Sequence, residues 1–267
     1  MKKPRLDQLI YDRGLCESRE RAKTTIMSGL VFVNGQRADK PGMPVDPEAQ
    51  IEVRGEAIPF VSRGGFKLDK ALKVFPIDPA GKICIDCGAS TGGFTDVLLQ
   101  HGAKKVYAVD VGYGQLAWKL RTDERVVNLE RTNLRYISAE QIPEAPELAV
   151  MDVSFISVKL VLPAVKALLT PGADLVCLIK PQFEAGREEV GKKGVVRDRA
   201  VHERVVREIL AFAPQIGLSV QGLDYSPIKG PEGNIEYICH LKNGSFEQPD
   251  LDIPATVAAS HEALGER

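Results

Sequence analysis

The segment Ile85-Asp86-Cys87-Gly88-Ala89-Ser90-Thr91-Gly92-Gly93-Phe94-Thr95 holds the strongest chemical signal in the chain. Its glycines let backbone approach backbone, or a ligand, more closely than any other residue would allow. Gly88 and Gly93 have the spacing of a phosphate-binding loop, but Phe94 stands where such a loop needs its lysine, and G-x-G-x-x-G is absent. A cofactor without phosphates needs the tight turn and no cationic cradle, and S-adenosylmethionine is such a cofactor. Asp110 follows Gly88 by 22 positions, at the end of the next apolar run, where a carboxylate would accept hydrogen bonds from ribose hydroxyls.

Two further apolar runs end in ionisable residues: Asp152 in Val150-Met151-Asp152-Val153-Ser154-Phe155, and Lys180 in Leu178-Ile179-Lys180-Pro181-Gln182-Phe183. If both runs are parallel strands, both ends face one cleft, where an ionisable pair points to function. Lys67 and Glu236, taken singly, read as surface charges. Cys84-x-x-Cys87 sits in a strand-like run, where residues three apart face opposite sides, so neither chelation nor a redox pair is expected. The five cysteines (Cys16, Cys84, Cys87, Cys177 and Cys239) are scattered, which argues for a reducing compartment. The four histidines form no ligand spacing, so no metal site is expected.

The elements that must position these residues alternate in type. Strands are expected at 82–87, 105–109, 148–152 and 175–179, with helices at 93–101 and 156–169, the latter broken or kinked near Pro163. Asp198 should cap a helix with Val201, Val205, Ile209 and Phe212 along one stripe. Strands at 218–225 and 235–241 have no helix between them. The fold class is therefore α/β, a mainly parallel sheet with an antiparallel edge pair and Glu236 in an edge strand. Residues 245–267 read as a polar tail with a short helix after Pro254.

Residues 5–53 form a separate α+β pattern. Leu6, Leu9 and Ile10 give a helix ended at Gly14, Ser18 caps a second helix closed by Gly29, and Val31-Phe32-Val33-Asn34-Gly35 is a strand entering a hairpin turn. The formal net charge of the 267 residues is only -1, but through Lys40 there are nine Lys/Arg against five acids, an electrostatic footprint for nucleic acid. No apolar stretch follows Met1-Lys2-Lys3-Pro4-Arg5, and no run approaches the ~20 apolar residues of a membrane span, so a cytoplasmic location is expected. The sequence carries no signal for oligomeric state.

The first fifty residues, with Arg19, Arg21 and Lys23 on the second helix and Gly29-x-Val31…Asn34-Gly35 after it, resemble the S4 RNA-binding domain. Lys67, Asp152, Lys180 and Glu236, in that order, resemble the Lys-Asp-Lys-Glu tetrad of FtsJ-like ribose 2'-O-methyltransferases. The whole layout, with SRGGFKL, DCGASTGGFTD, DVSF, IKPQFE and GNIEY, is similar to the TlyA family of haemolysin-like ribosomal-RNA methyltransferases. The resemblance implies an S4-like domain at 1–53, a linker at 54–61, a Rossmann-like S-adenosylmethionine-dependent methyltransferase domain at 62–244 and a tail at 245–267. It implies ribosomal RNA or ribosomal subunits as partners and 2'-O-methylation of cytidine as the reaction.

The same resemblance assigns catalysis to the tetrad, with Lys180 central, either as a neutral amine acting as base or as an ammonium stabilising the alkoxide. It assigns cofactor binding to Asp86, Gly88, Ser90, Gly92, Gly93 and Phe94, with Asp110 on the ribose, Asn133 near the adenine, and Asp152. RNA contacts fall to Arg5, Arg19, Arg21 and Lys23, and to Arg187, Lys192 and Lys193 in a glycine-rich, cationic loop at 185–197, expected to be mobile. The rival readings are a non-catalytic RNA-binding or ribosome-assembly factor, a membrane-active haemolysin, which would need a span or an amphipathic basic helix, and methylation of a base or protein, for which Asp152-Val153-Ser154-Phe155 is the wrong motif.

Overall fold

The structure is a computed structural model that describes residues 3–27, 29–54, 58–191 and 193–265. The chain divides into two compact units, Met1–Arg63 and Gly64–Arg267. In the first, α1 (Leu6–Asp12) and α2 (Arg19–Met27) pack with a sheet of β1 (Val31–Val33), β2 (Gln36–Ala38) and β3 (Ile51–Val53) in the order β2-β1-β3. Ser18 Oγ accepts from the Arg21 amide at 3.1 Å and starts α2. Asn34 (φ 49°) and Gly35 (φ 79°) are both left-handed, the conformation of a type I′ hairpin turn, and they set the pairing Val33↔Gln36. Leu6, Ile10, Ala22, Ile26 and Val31 form the buried core of this unit.

The second unit is built on seven strands in the order β6-β5-β4-β7-β8-β10-β9. These are β4 (Ile83–Cys87), β5 (Lys105–Val109), β6 (Val126–Leu129), β7 (Leu148–Met151), β8 (Asp174–Ile179), β9 (Leu218–Tyr225) and β10 (Tyr237–Asn243). The first five in spatial order are parallel, and β10 runs antiparallel to both β8 and β9. The chain leaves β4 to one side for β5 and β6 and returns on the other for β7 and β8. That reversal makes the carboxyl end of β4 the switch point where such sheets bind ligands.

Besides the four-residue helices α5 (Trp118–Arg121) and α7 (Pro181–Glu184), helices α6 (Leu162–Leu168), α8 (Arg199–Phe212) and α9 (Ile253–Leu264) follow, and these three share one core with Ile85, Met151, Cys177 and Cys239. Asp86, which alternates to the other face from Ile85 and Cys87, bonds instead to Thr95 of α4 (Gly93–Gln100). Both faces of the sheet are thus covered, and α3 (Gly65–Val74) packs beside α4.

Four local features differ from the sequence-based expectations. Strand β6 was not expected, because Val126-Val127-Asn128-Leu129 is a short, half-buried edge strand with no alternation to reveal it. Helix α6 begins only at Leu162, and Pro163 lies in its first turn, where a missing N–H costs nothing, so the proline starts the helix rather than kinking it. Strand β10 is interior, covered by β9, so Glu236 precedes an inner strand rather than lying in an edge one. The C-terminal segment forms the helix expected around Pro254, but it is packed on the domain rather than a polar tail. Asp252 caps the 12-residue helix α9 by accepting from the Ala255 amide at 2.8 Å, and Val257 is fully buried in the main core. The Asp198 cap on α8 forms as expected, accepting from the Ala200 amide at 2.9 Å, although Val201 and Phe212 are only half-buried.

A buried histidine joins α8 to α9. His202 Nδ1 lies 2.7 Å from the Tyr237 hydroxyl and 3.3 Å from His261 Nε2, and Tyr237 Oη lies 3.1 Å from Ser260 Oγ. His202 Nε2 is 3.0 Å from the Val196 carbonyl, which can only accept, so Nε2 carries the proton and Nδ1 accepts. Burial pushes this imidazole down to about 4. Between that value and ~6.5, the unfolded chain binds a proton that the folded chain does not, so His202's contribution to stability falls as pH drops. The stability difference between wild type and His202→Gln, from urea unfolding, is expected to shrink by roughly 3 kcal/mol between pH 7.5 and pH 4. A pH-independent difference would contradict a neutral buried ring.

Candidate active site

Three adjacent parallel strands end together: β4 in the glycine loop, β7 in Asp152 and β8 in Lys180. The antiparallel register Tyr237↔Ile179 sets Glu236 beside Lys180, and the first turn of α3 delivers Lys67. Residues far apart in sequence thereby form one hydrogen-bonded chain. Lys67 Nζ donates to Glu236 Oε2 at 2.6 Å and to Asp152 Oδ2 at 3.1 Å. Lys180 Nζ lies 2.5 Å from Asp152 Oδ1 and donates to Ser154 Oγ at 2.9 Å. Lys67 and Lys180 are each only 6% exposed and Glu236 1%. Burying charge at such depth is tolerable only because two ammonium groups meet two carboxylates.

The two lysines are not equivalent. Burial opposes charge on Lys67, but Asp152 and Glu236 together outweigh it and raise its pKa. Lys67 is therefore a permanent cation locked between two carboxylates. Burial likewise opposes charge on Asp152, and Lys67 and Lys180 outweigh it and hold the carboxyl below its usual range. Lys180 has one carboxylate and one neutral hydroxyl as partners, where Lys67 has two carboxylates. Beside it, Phe155 is 91% exposed in a left-handed conformation (φ 63°), with its ring 5.1 Å from that of Phe183. Ser154, Phe155 and Gln182 stand in these motifs with no role legible from sequence; Gln182 Nε2 donates to Glu236 Oε1 at 3.4 Å. An aromatic three residues after a strand-end Asp is the available signal for Phe155.

The glycine loop is shaped by close approach. Gly88 has φ 88°, and a Cβ there would sit 2.8 Å from the Asp152 carbonyl oxygen. Asp110 ties this loop to the next: its Oδ2 accepts from the Ser90 amide at 2.7 Å and its Oδ1 from the Gly112 amide at 2.6 Å, each oxygen keeping a second lone pair. Asp86 Oδ2 accepts from the Thr95 amide (2.9 Å) and hydroxyl (2.6 Å). Its Oδ1 is buried with no hydrogen-bond partner among the described residues, and burial pushes the carboxyl up to about 7. An unpartnered carboxylate oxygen beneath a lysine-free loop fits a cationic, phosphate-free cofactor such as S-adenosylmethionine.

The remaining candidates are dispersed. Gly92 caps α4 in the left-handed region, Gly93 and Phe94 open the helix, and the Phe94 ring is buried. Asn133 is exposed and accepts from the Arg135 amide at 3.0 Å. In the first unit, buried Asp7 holds Arg5 (2.9 Å) and Arg19 (3.3 Å), Lys23 pairs with Glu20 at 2.6 Å, and Arg21 is half-buried. Arg187 and Lys193 are exposed, and Lys192 lies outside the described residues. Part of the 185–197 loop is clamped: the Val196 amide donates to Asn234 Oδ1 at 3.0 Å, and Asn234 Nδ2 donates to the Gly194 carbonyl at 2.8 Å. Cys84 and Cys87 are buried free thiols, and burial pushes Cys84 up to about 12 and Cys87 well above its ordinary value. Among the described residues, no cluster of three or more His, Cys, Asp or Glu could hold a metal, and no helix is long and apolar enough to cross a membrane.

The doubly wound sheet is the Rossmann-like architecture of methyltransferases. A structure from Listeria monocytogenes, described as a candidate S-adenosylmethionine-dependent methyltransferase, matches 68% of this chain and 98% of its own at TM-score 0.52, with 18% identity. Residues 60–243 match the FtsJ-like methyltransferase family and residues 4–51 the S4 domain. The chain belongs to the FtsJ-like methyltransferases, in the S4-bearing TlyA group. It is 46% identical to the 16S/23S rRNA (cytidine-2'-O)-methyltransferase TlyA of Mycobacterium tuberculosis, over 99% of this chain and 98% of that one. It is 45% identical to Hemolysin A of Brachyspira hyodysenteriae, over 89% and 99%. A solved structure described as a candidate hemolysin of Streptococcus thermophilus shares 50% identity, covers 98% and 97%, and superposes with TM-score 0.79.

Proposed function

We propose that this protein methylates the 2'-hydroxyl of cytidine in ribosomal RNA, using S-adenosylmethionine, with the S4 unit contributing RNA affinity. The observation that carries the reading is the buried chain Glu236–Lys67–Asp152–Lys180 beside the glycine loop at the switch point. The relatives' names supply the substrate. Asp86, Gly88, Ser90, Gly92, Gly93 and Phe94 form the cofactor's side of the cleft, Asp110 is suited to its ribose, and Asn133 is assigned to the adenine. The cofactor supplies an electrophilic methyl group.

The chain's own residues supply the rest. A ribose hydroxyl is a poor nucleophile at neutral pH, so its proton must be lost or shared as the oxygen attacks. Lys180 Nζ meets that oxygen, and Asp152, held by Lys67, fixes the lysine's position. Glu236 anchors Lys67. The exposed ring of Phe155 offers a stacking face for a base turned out of its helix, so that the ribose can reach the buried amine. Arg5, Arg19, Arg21 and Lys23, with Arg187, Lys192 and Lys193, are assigned to RNA phosphates.

The test is methyl transfer from labelled S-adenosylmethionine to unmodified ribosomal subunits, followed by nucleoside analysis. Label in 2'-O-methylcytidine is the expected result. Label in a base or in protein would overturn the assignment, and absence of both label and cofactor binding would favour a non-catalytic RNA-binding factor.

Asp86 adds a pH signature. Its folded carboxyl titrates near 7, and a bound cation would hold it ionised, so binding below that pH must release a proton. Affinity for S-adenosylmethionine is expected to rise about tenfold from pH 6 to pH 8 by calorimetry, and Asp86→Asn to abolish that dependence. A flat profile in wild type would rule out this pairing.

A further inference from the structure

A cavity of about 260 Å³ adjoins the turn that delivers Glu236, and the methyl transfer as proposed does not use it. Three cations, Arg197, Arg199 and Lys229, line it against one carboxylate, Glu232, with His261 from α9. The nearby acid Asp198 is engaged as the N-cap of α8, which begins at Arg199 and adds the partial positive charge of a helix N-terminus. Burial, and then the charges of Arg199 and Lys229, hold the His261 imidazole below its ordinary range, in keeping with both cations converging on one space.

The cavity is built into the same turn as the tetrad. Gly233 and Ile235 line it, and the next residue, Glu236, bonds Lys67. Between them Asn234, nearly fully buried, braces the turn against the opposite wall through its bonds to Val196 and Gly194. Ile235 is the chain neighbour of Glu236, so the cavity and the tetrad share one turn. An RNA strand with its ribose at Lys180 has flanking phosphates to place on the surface around the tetrad.

We infer that this cavity takes a backbone phosphate of the RNA strand flanking the methylated nucleotide. The inference rests on the methyltransferase reading for its ligand, while the cavity itself is independent of it. Such a contact fixes the strand's register over Lys180 without touching the reacting atoms, so it acts on RNA affinity and not on the chemical step.

The test uses the full chain with Arg199→Ala and Lys229→Ala combined, neither of which bonds a member of the tetrad. The KM for unmodified ribosomal subunits is expected to rise about tenfold, and the salt dependence of RNA binding to lose about one unit of slope. The kcat at saturating RNA and the affinity for S-adenosylmethionine should be unchanged. An unaltered KM and slope would overturn the inference. So would a titration in which inorganic phosphate moves the His261 ring signals of wild type but not of the double variant while KM stays put, since the cavity would then hold a free anion. If wild type methylates nothing, the activity reading fails, and the salt slope still decides the cavity.

Discussion

Lys180→Ala is expected to lower kcat for methyl transfer at least ~10³-fold while leaving the affinity for S-adenosylmethionine within about twofold. The asymmetry follows from the site. Lys180 meets Asp152 and Ser154, and among the described residues no hydrogen bond or ion pair joins it to the glycine loop or to Asp110. Its removal also leaves Asp152 paired with Lys67 at 3.1 Å, so no carboxylate is stranded and the domain should fold. The Lys180→Arg variant separates two roles. Arginine keeps the charge but does not lose its proton near neutral pH, so activity retained with arginine would assign Lys180 to stabilising the oxyanion, and activity lost would favour proton transfer. Activity within tenfold of wild type in the alanine variant, by single-turnover methyl transfer, would refute the central role of this residue. Lys67→Ala should behave differently, because it leaves the buried Glu236 without its cation while Asp152 keeps Lys180, and it should lose stability as well as activity.

Gly88→Ala is expected to cost about 2–3 kcal/mol of domain stability and to weaken S-adenosylmethionine binding by two orders of magnitude or more. Two causes add. The backbone at φ 88° disfavours any side chain, and the new methyl group would meet the Asp152 carbonyl oxygen at 2.8 Å, a backbone atom that cannot swing aside. Relief requires the glycine loop and the end of β7 to separate, which moves Asp152 relative to the loop and so misaligns both halves of the site. Gly81→Ala is the matched control: it has φ 71° but open space around the added methyl. That variant should show only the conformational penalty, about 1 kcal/mol, with cofactor binding intact. Equal behaviour of the two variants in calorimetry and thermal unfolding would show that close approach to Asp152 has no bearing on the site.

The glycine loop, Asp110, Asp152 and Lys180 were readable in the chain because each closes an apolar run, and strand ends in an alternating pattern share one edge of a sheet. The hairpin at Asn34-Gly35 and the caps at Ser18 and Asp198 were readable because their signals are confined to a few neighbouring residues. Lys67 and Glu236 were not readable from their own surroundings. Each is a single charge near glycines, and only resemblance to a tetrad joined them, whereas the structure buries both and places them 2.6 Å apart. Strand β6 and the packing of helix α9 were missed for a related reason: one is half-buried at an edge, the other is rich in alanine, and both are held by partners distant in sequence.

Local composition therefore decided where elements start and stop and which residues end them, since turns, caps and periodicity depend on neighbours along the chain. Tertiary packing decided which charges are buried together. The energy of a buried ion pair depends on the low-dielectric space around it and on the distance to its partner, and neither quantity exists until β10 has inserted between β8 and β9 and α3 has brought Lys67 to the end of β7.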